Sequence, residues 1–290
     1  MTTSFCIKTN NNLILDYLLN QFNMIDLDNV FISKHKFKLY KNIIVHYTGE
    51  NKKIFISNIA DALSNTVIEF YEDSLLKKLI HSNYFYFTDI EKQQIFENCK
   101  STLSLDYCDI VFRKNIIYCA SLAFLRDNNT FILDGFINFR IKKYIQILDE
   151  AIDLAVDKLL IDREYKEFIN LLKLYVNSKE NTCPYVHLIY SKGESILLDE
   201  CKNLIDIKDN TFSAKYLSDI SFSSNDYSLN TLLNLIPSKL YIHLIDCFED
   251  EFINTLKLIF EDRVYICNDC PICNIYKISD QKLHRLTIKD

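Results

Sequence analysis

Apolar and polar residues alternate with period two from Phe5 to Lys8, the mark of a half-buried strand. From Leu13 to Phe22 the apolar positions fall three and four apart instead, which predicts an amphipathic helix. Val30 to Phe37 and Leu39 to Tyr47 predict two more strands, stopped by the turn Thr48-Gly49-Glu50-Asn51. Helical spacing then holds from Ile54 to His81 and again from Asp89 to Lys100. Together these form a first, small α+β region, residues 1–105.

The middle of the chain, residues 106–182, reads as helical almost throughout. Leu133, Ile137, Ile141, Ile145, Leu148, Ile152, Ala155 and Leu159 share one helix face, and Phe168, Leu171, Leu172 and Tyr175 continue the pattern in a following helix. Periodicity on this scale builds a core rather than a cofactor site.

The period changes again in the last region, residues 183–290. His187 to Tyr190 and Ser195 to Leu198 flank Lys192-Gly193 and predict a β-hairpin. A helix over Leu229 to Ile236 precedes the β-rich run KLYIHLID. Asp246 is then placed to cap a helix with Glu249, Asp250 and Glu251 in its first turn, and Phe252, Leu256 and Ile259 on its buried face. VYIC is the next strand. A strand, helix and strand joined by short links form a crossover, so these two strands should be parallel. The fold class expected is therefore α/β in the broad sense, a helix-rich α+β chain ending in a hairpin and a parallel strand–helix–strand unit.

Composition narrows the chemistry. Only three glycines occur in 290 residues, Gly49, Gly135 and Gly193, too far apart for a phosphate loop or a dinucleotide fingerprint. No G-x-S-x-G elbow and no H-E-x-x-H is present, and the six histidines show no metal or triad spacing. The net charge of −6 argues against a nucleic-acid partner. Lys34, Lys36 and Lys38 share one face of their strand, as a charged edge strand would. The first residues carry no basic flank followed by an apolar run, and Asn115 to Leu125 is too short to span a bilayer. A cytoplasmic protein without membrane insertion is expected, its ten cysteines mostly free thiols.

One cluster stands out. Cys267, Cys270 and Cys273 form a C-x2-C-x2-C run, and two-residue spacing lets successive thiolates turn onto one soft cation. The crossover would carry Cys247, after the preceding strand, toward Cys267 as a fourth ligand, since ligands gather at the carboxyl ends of parallel strands. His284 is the other candidate. Zinc, an iron–sulfur cluster or working dithiol, and unliganded thiols all remain open. Thioredoxin-type use fits poorly, because there the CxxC opens a helix, whereas Pro271 and a polar tail follow here.

Two charged features are weaker. Asp149, Asp153 and Asp157 recur four apart on one helix face, and basic residues such as Arg163 or Lys166 on the following helix would offset their repulsion. Arg140 and Lys143 are expected first to pair with Glu164 or Glu167 there, and otherwise to bind an anion.

The segment GFINFRIKKYIQILDEAIDLAVDKLLIDREYKEFINLLKLYV resembles the sporulation-associated YtxC family of endospore-forming bacteria. The likeness extends through VHLIYSKGESILLDE and LYIHLID to EDRVYICNDC, about residues 115 to 270. Gly135, Phe136, Phe139, Arg140, Tyr144, Glu164, Tyr165 and Phe168 carry most of it. The resemblance implies a process, spore formation, and assigns no reaction, cofactor or catalytic residue. The expectation is a non-catalytic interaction or regulatory protein with a protein partner. The alternative is a zinc-binding or thiol-redox module built on the C-terminal cysteines.

Overall fold

The computed structural model describes residues 2–36, 40–104, 109–205, 223–246, 248–267 and 269–277. The chain divides into two compact units, residues 1–162 and 163–290. Each holds a four-stranded mixed sheet together with helices, a helix-rich α+β arrangement.

In the first unit, β1 (Thr3–Thr9) lies between β3 (Lys41–Tyr47), antiparallel, and the short β4 (Thr130–Ile132), parallel. The expected charged strand, β2 (Val30–Lys36), pairs only with β3 and lies at the sheet edge, with Lys34 on Asp16 at 3.0 Å. Lys38 lies outside the described residues. Phe5, Ile7, Ile43 and Val45 are buried and pack with Ile14, Leu15, Leu18 and Phe22 of α1 (Asn12–Asn23). Asn11 caps α1 by accepting from the Leu13 N–H at 2.9 Å.

Three further helices, α2 (Lys52–Asn83), α3 (Asp89–Leu103) and α4 (Ile110–Asp127), complete the same core. Thr88 and Glu91 close the α3 N-terminus as a capping box. Inside, Glu72 receives the Arg113 guanidinium through Nε at 3.0 Å and Nη2 at 3.2 Å, and the Tyr144 hydroxyl at 2.7 Å. Burial, then the Glu72 carboxylate, pushes Tyr144 far above the usual phenol range.

The middle helices differ from expectation at their break point. The predicted interruption between Leu159 and Phe168 is absent. The chain instead breaks at Arg140–Ile141, between α5 (Leu133–Phe139) and the 37-residue α6 (Lys142–Ser178). No Gly or Pro lies between residues 136 and 183, so nothing in the backbone stops α6 earlier. Two aspartates of the stripe on α6 are met by polar groups at the end of α2. Asn83 donates to Asp149 at 2.8 Å and the Tyr84 hydroxyl donates to Asp153.

In the second unit the sheet order is β6-β5-β7-β8. The predicted hairpin is β5 (Cys183–Ser191) with β6 (Glu194–Leu198). Lys192 at φ 53° and Gly193 at φ 80° make the two-residue turn left-handed, as such hairpins require. After α7 (Ser224–Leu235), β7 (Pro237–Leu244) runs parallel to β5, and β8 (Val264–Cys267) runs parallel to β7. Val186, Leu188, Leu240 and Ile242 face Leu232 of α7 and Ile253, Leu256 and Ile259 of α8 (Glu251–Phe260) in one core. Asp250, not Asp246, caps α8, accepting from the Ile253 N–H at 3.2 Å. Asp246 instead accepts from the Lys192 N–H at 2.5 Å, tying the hairpin turn to the end of β7.

Candidate metal centre

The sheet face opposite that core carries the chemistry. Strands β7 and β8 pair in register: Leu240 with Val264, Tyr241 with Tyr265, Ile242 with Ile266, and His243 with Cys267. Alternation sends Leu240, Ile242, Val264 and Ile266 to the helical core, and Tyr241, His243, Tyr265 and Cys267 to the other face. Directly opposed strand residues have Cβ atoms about 5 Å apart, so His243 and Cys267 meet.

Beyond β8 the chain turns and enters a short helix, α9 (residues 271–277), with Pro271 at its first position. Cys270 thereby opens a helix, contrary to the sequence expectation. Its sulfur sits where an N-capping oxygen would, and backbone N–H groups of Cys273 and Ile272 point at it. Burial alone would raise the Cys270 thiol, but these donors and the neighbouring thiols hold it below the usual range. Cys273, one turn into α9, is fully buried among Ile189, Leu198, Ile245 and Ile272.

Four soft donors converge as a result. His243 Nδ1 lies 3.3 Å from Cys273 Sγ and 3.4 Å from Cys270 Sγ. Cys273 Sγ lies 3.7 Å from Cys270 Sγ and 3.8 Å from Cys267 Sγ. All four donor atoms fall within 4.8 Å of one another. With zinc–sulfur bonds of about 2.3 Å and zinc–nitrogen bonds of about 2.0 Å, a regular tetrahedron has S···S edges of about 3.8 Å and S···N edges of about 3.5 Å. The four spacings that meet at Cys273 or link His243 to Cys270, 3.3–3.8 Å, lie close to those edges, and all six fall within 4.8 Å. The sulfur separations are far too long for a disulfide, which needs about 2.05 Å.

The electrostatics fit ligation. Burial, with His187 next to it, lowers His243 to about 4, so its imidazole is neutral and offers a lone pair at neutral pH. Burial and the adjoining thiols raise Cys267 to about 12, the cost of packing three sulfurs together without a cation. On the far side of His243, its Nε2 lies 2.9 Å from His187 Nδ1. Burial and Lys202 hold His187 below its ordinary value.

Of the cysteines singled out from the sequence, Cys267, Cys270 and Cys273 are brought together. Cys247 and His284 lie outside the described residues. The fourth donor, His243, was missed although a signal existed. LYIH and VYIC match position by position, and aligning Tyr241 with Tyr265 in the predicted parallel pair puts the histidine opposite the cysteine. Arg140 and Lys143 lie elsewhere, in the first unit, lining a cavity of about 510 Å³ with Asn115, Cys119 and Phe139. The Arg140 guanidinium lies over the Phe124 ring at 5.6 Å. Glu164 and Glu167 lie on α6, the helix that also carries Lys143, rather than on a separate following helix.

Among the described residues no helix is long and apolar enough to cross a membrane. No solved structure matches the chain. A protein of Bacillus subtilis (strain 168), titled as the uncharacterized protein YtxC, is 23% identical over 204 residues, covering 68% of this chain and 72% of that one. The sequence profile of the YtxC-like family matches residues 57–265, a span that includes His243 and ends two residues before Cys267. A match over that much of the sequence shows that the chain belongs to the YtxC-like family.

Proposed function

We propose that the second unit is a zinc module in which His243, Cys267, Cys270 and Cys273 hold one Zn2+ ion. The observation that carries this reading is the convergence of three sulfurs and one imidazole nitrogen within 4.8 Å of one another, from two paired strands and a helix start. Four protein donors would fill the coordination sphere, the arrangement of a structural site rather than of a catalytic one with an open position. The role we infer is therefore non-catalytic. Zinc staples the end of β8 and α9 to β7 and presents that face to a protein partner. The resemblance to a sporulation-associated family supports spore formation as the setting, and free thiolates suit a reducing cytoplasm.

A second reading rests on the opening of α9. Cys270 and Cys273 form a CxxC at a helix start with the Cys270 thiol lowered, which suits a redox dithiol. Cobalt(II) titration of the reduced full-length protein separates the two. The zinc reading predicts saturation at one equivalent with the absorption of tetrahedral thiolate cobalt, displaced by zinc. A dithiol without a metal role predicts no such spectrum. For the setting, deleting the gene in a spore-forming host should lower the spore count. Restoration by the native gene, but not by a Cys270→Ser/Cys273→Ser copy, ties that role to the cluster.

A further inference from the structure

We propose that His187 is a positioning residue for the metal centre, fixing the tautomer and ring orientation of His243 through the Nε2–Nδ1 hydrogen bond. The inference rests on the zinc reading and extends it to a residue outside the four donors. His243 has two ring nitrogens facing two different groups. Nδ1 faces the sulfurs of Cys270 and Cys273, and Nε2 faces His187 Nδ1 at 2.9 Å. A metal bound at Nδ1 leaves the imidazole proton on Nε2, which must then donate. His187 Nδ1 is the acceptor, so the His187 proton sits on its own Nε2.

The fold holds His187 where this bond requires it. Strands β5 and β7 pair His187 with Tyr241 and Ile189 with His243, which makes His187 the diagonal neighbour of His243 on the same face. The His187 ring stacks on Tyr241 at 5.3 Å with 25° between planes, and Tyr185 meets its edge at 5.7 Å. One ring face and one edge are therefore fixed by tyrosines while Nδ1 points at His243. A ligating histidine whose second nitrogen is held in this way is a stronger and better-oriented donor, and loss of the outer partner weakens metal affinity about 10- to 100-fold.

Two substitutions separate the hydrogen bond from the packing. His187→Phe keeps a ring to stack on Tyr241 but removes the acceptor. His187→Asn removes the stack but keeps an acceptor oxygen near the position of Nδ1. Zinc affinity of the full-length protein, measured by competition with a chromophoric chelator, should fall about 10- to 100-fold in the phenylalanine variant and stay near wild type in the asparagine variant. In unsubstituted, zinc-loaded protein, nitrogen-15 NMR should show the His243 Nε2 proton coupled across the hydrogen bond to His187 Nδ1, a readout independent of how well the variants fold. Equal affinity in wild type and His187→Phe, or absence of that coupling, overturns the inference while leaving the zinc reading intact. Wild-type protein that takes up no zinc overturns both.

Discussion

Glu72, Arg113 and Tyr144 form a buried charged network, and removing Arg113 tests whether the first unit depends on it. The Glu72 and Arg113 side chains are only 5% and 6% exposed, so water cannot replace a lost partner. Arg113 meets Glu72 with a two-pronged fork and also donates through Nη1 to the Leu103 carbonyl. Arg113→Met keeps the aliphatic stem but leaves the carboxylate with the Tyr144 hydroxyl and a Lys100 amine 4.0 Å away. Breaking a buried pair from one side costs about 3–5 kcal/mol. Tyr144→Phe, which removes one hydrogen bond to a charged group, costs about 1.5–3 kcal/mol. Glu72→Leu/Arg113→Met leaves no charge stranded and should be more stable than Arg113→Met alone, because residues sharing one network do not add. The chain has no tryptophan, so urea unfolding followed by circular dichroism at the helical band is the assay. A loss below about 1 kcal/mol for Arg113→Met, or a double variant that loses the sum of its singles, would refute the reasoning.

Other expectations follow from local geometry. At pH 7 zinc uptake should release about two to three protons, all from thiols, because His243 is already neutral; calorimetry in buffers of different ionisation enthalpy counts them, and release of fewer than two contradicts the ligand set. In metal-free protein the unfolded chain protonates His243 near 6.5 and the folded chain only at about 4, so this contribution to stability should fade as pH drops through that window; acid titration of the apo form should show it. Asp250→Ala removes the α8 cap and the acceptor of the Tyr190 hydroxyl, so it should cost about 1–2 kcal/mol in urea melts, with Asp250→Asn milder. Gly193→Ala should cost about 1 kcal/mol from its positive φ alone, since an added Cβ meets nothing within 4 Å. Gly49→Ala should cost more, because there the Cβ would press into the Tyr47 ring; parallel melts of the two variants check the order.

Much of the second unit was legible because its signals are local. The Lys192-Gly193 turn, the alternation of β5 and β6, and the apolar face of α8 each fit within about ten residues. The C-x2-C-x2-C spacing likewise marked three of the four donors. His243 was harder because a histidine inside an apolar strand has no spacing relation to cysteines 24 or more positions away; only strand register joins them. The cap of α8 moved from Asp246 to Asp250 because Asp246 is engaged by the hairpin turn, a tertiary contact that propensity does not encode. The break at Arg140–Ile141 is similar. Apolar period runs through it, and the tilted contact of Phe136 with Phe131 at 4.5 Å belongs to the packed core rather than to the helix pattern. The three-residue β4 is too short to show a period at all.

The most direct test of the zinc centre is elemental analysis of untagged protein purified without oxygen, beside His243→Ala and Cys270→Ser/Cys273→Ser variants. About one zinc per chain, lost in both variants together with chelator-sensitive stability of the second unit, is the predicted result. Metal-free wild-type protein that melts at the same temperature as both variants, with or without chelator, would contradict it.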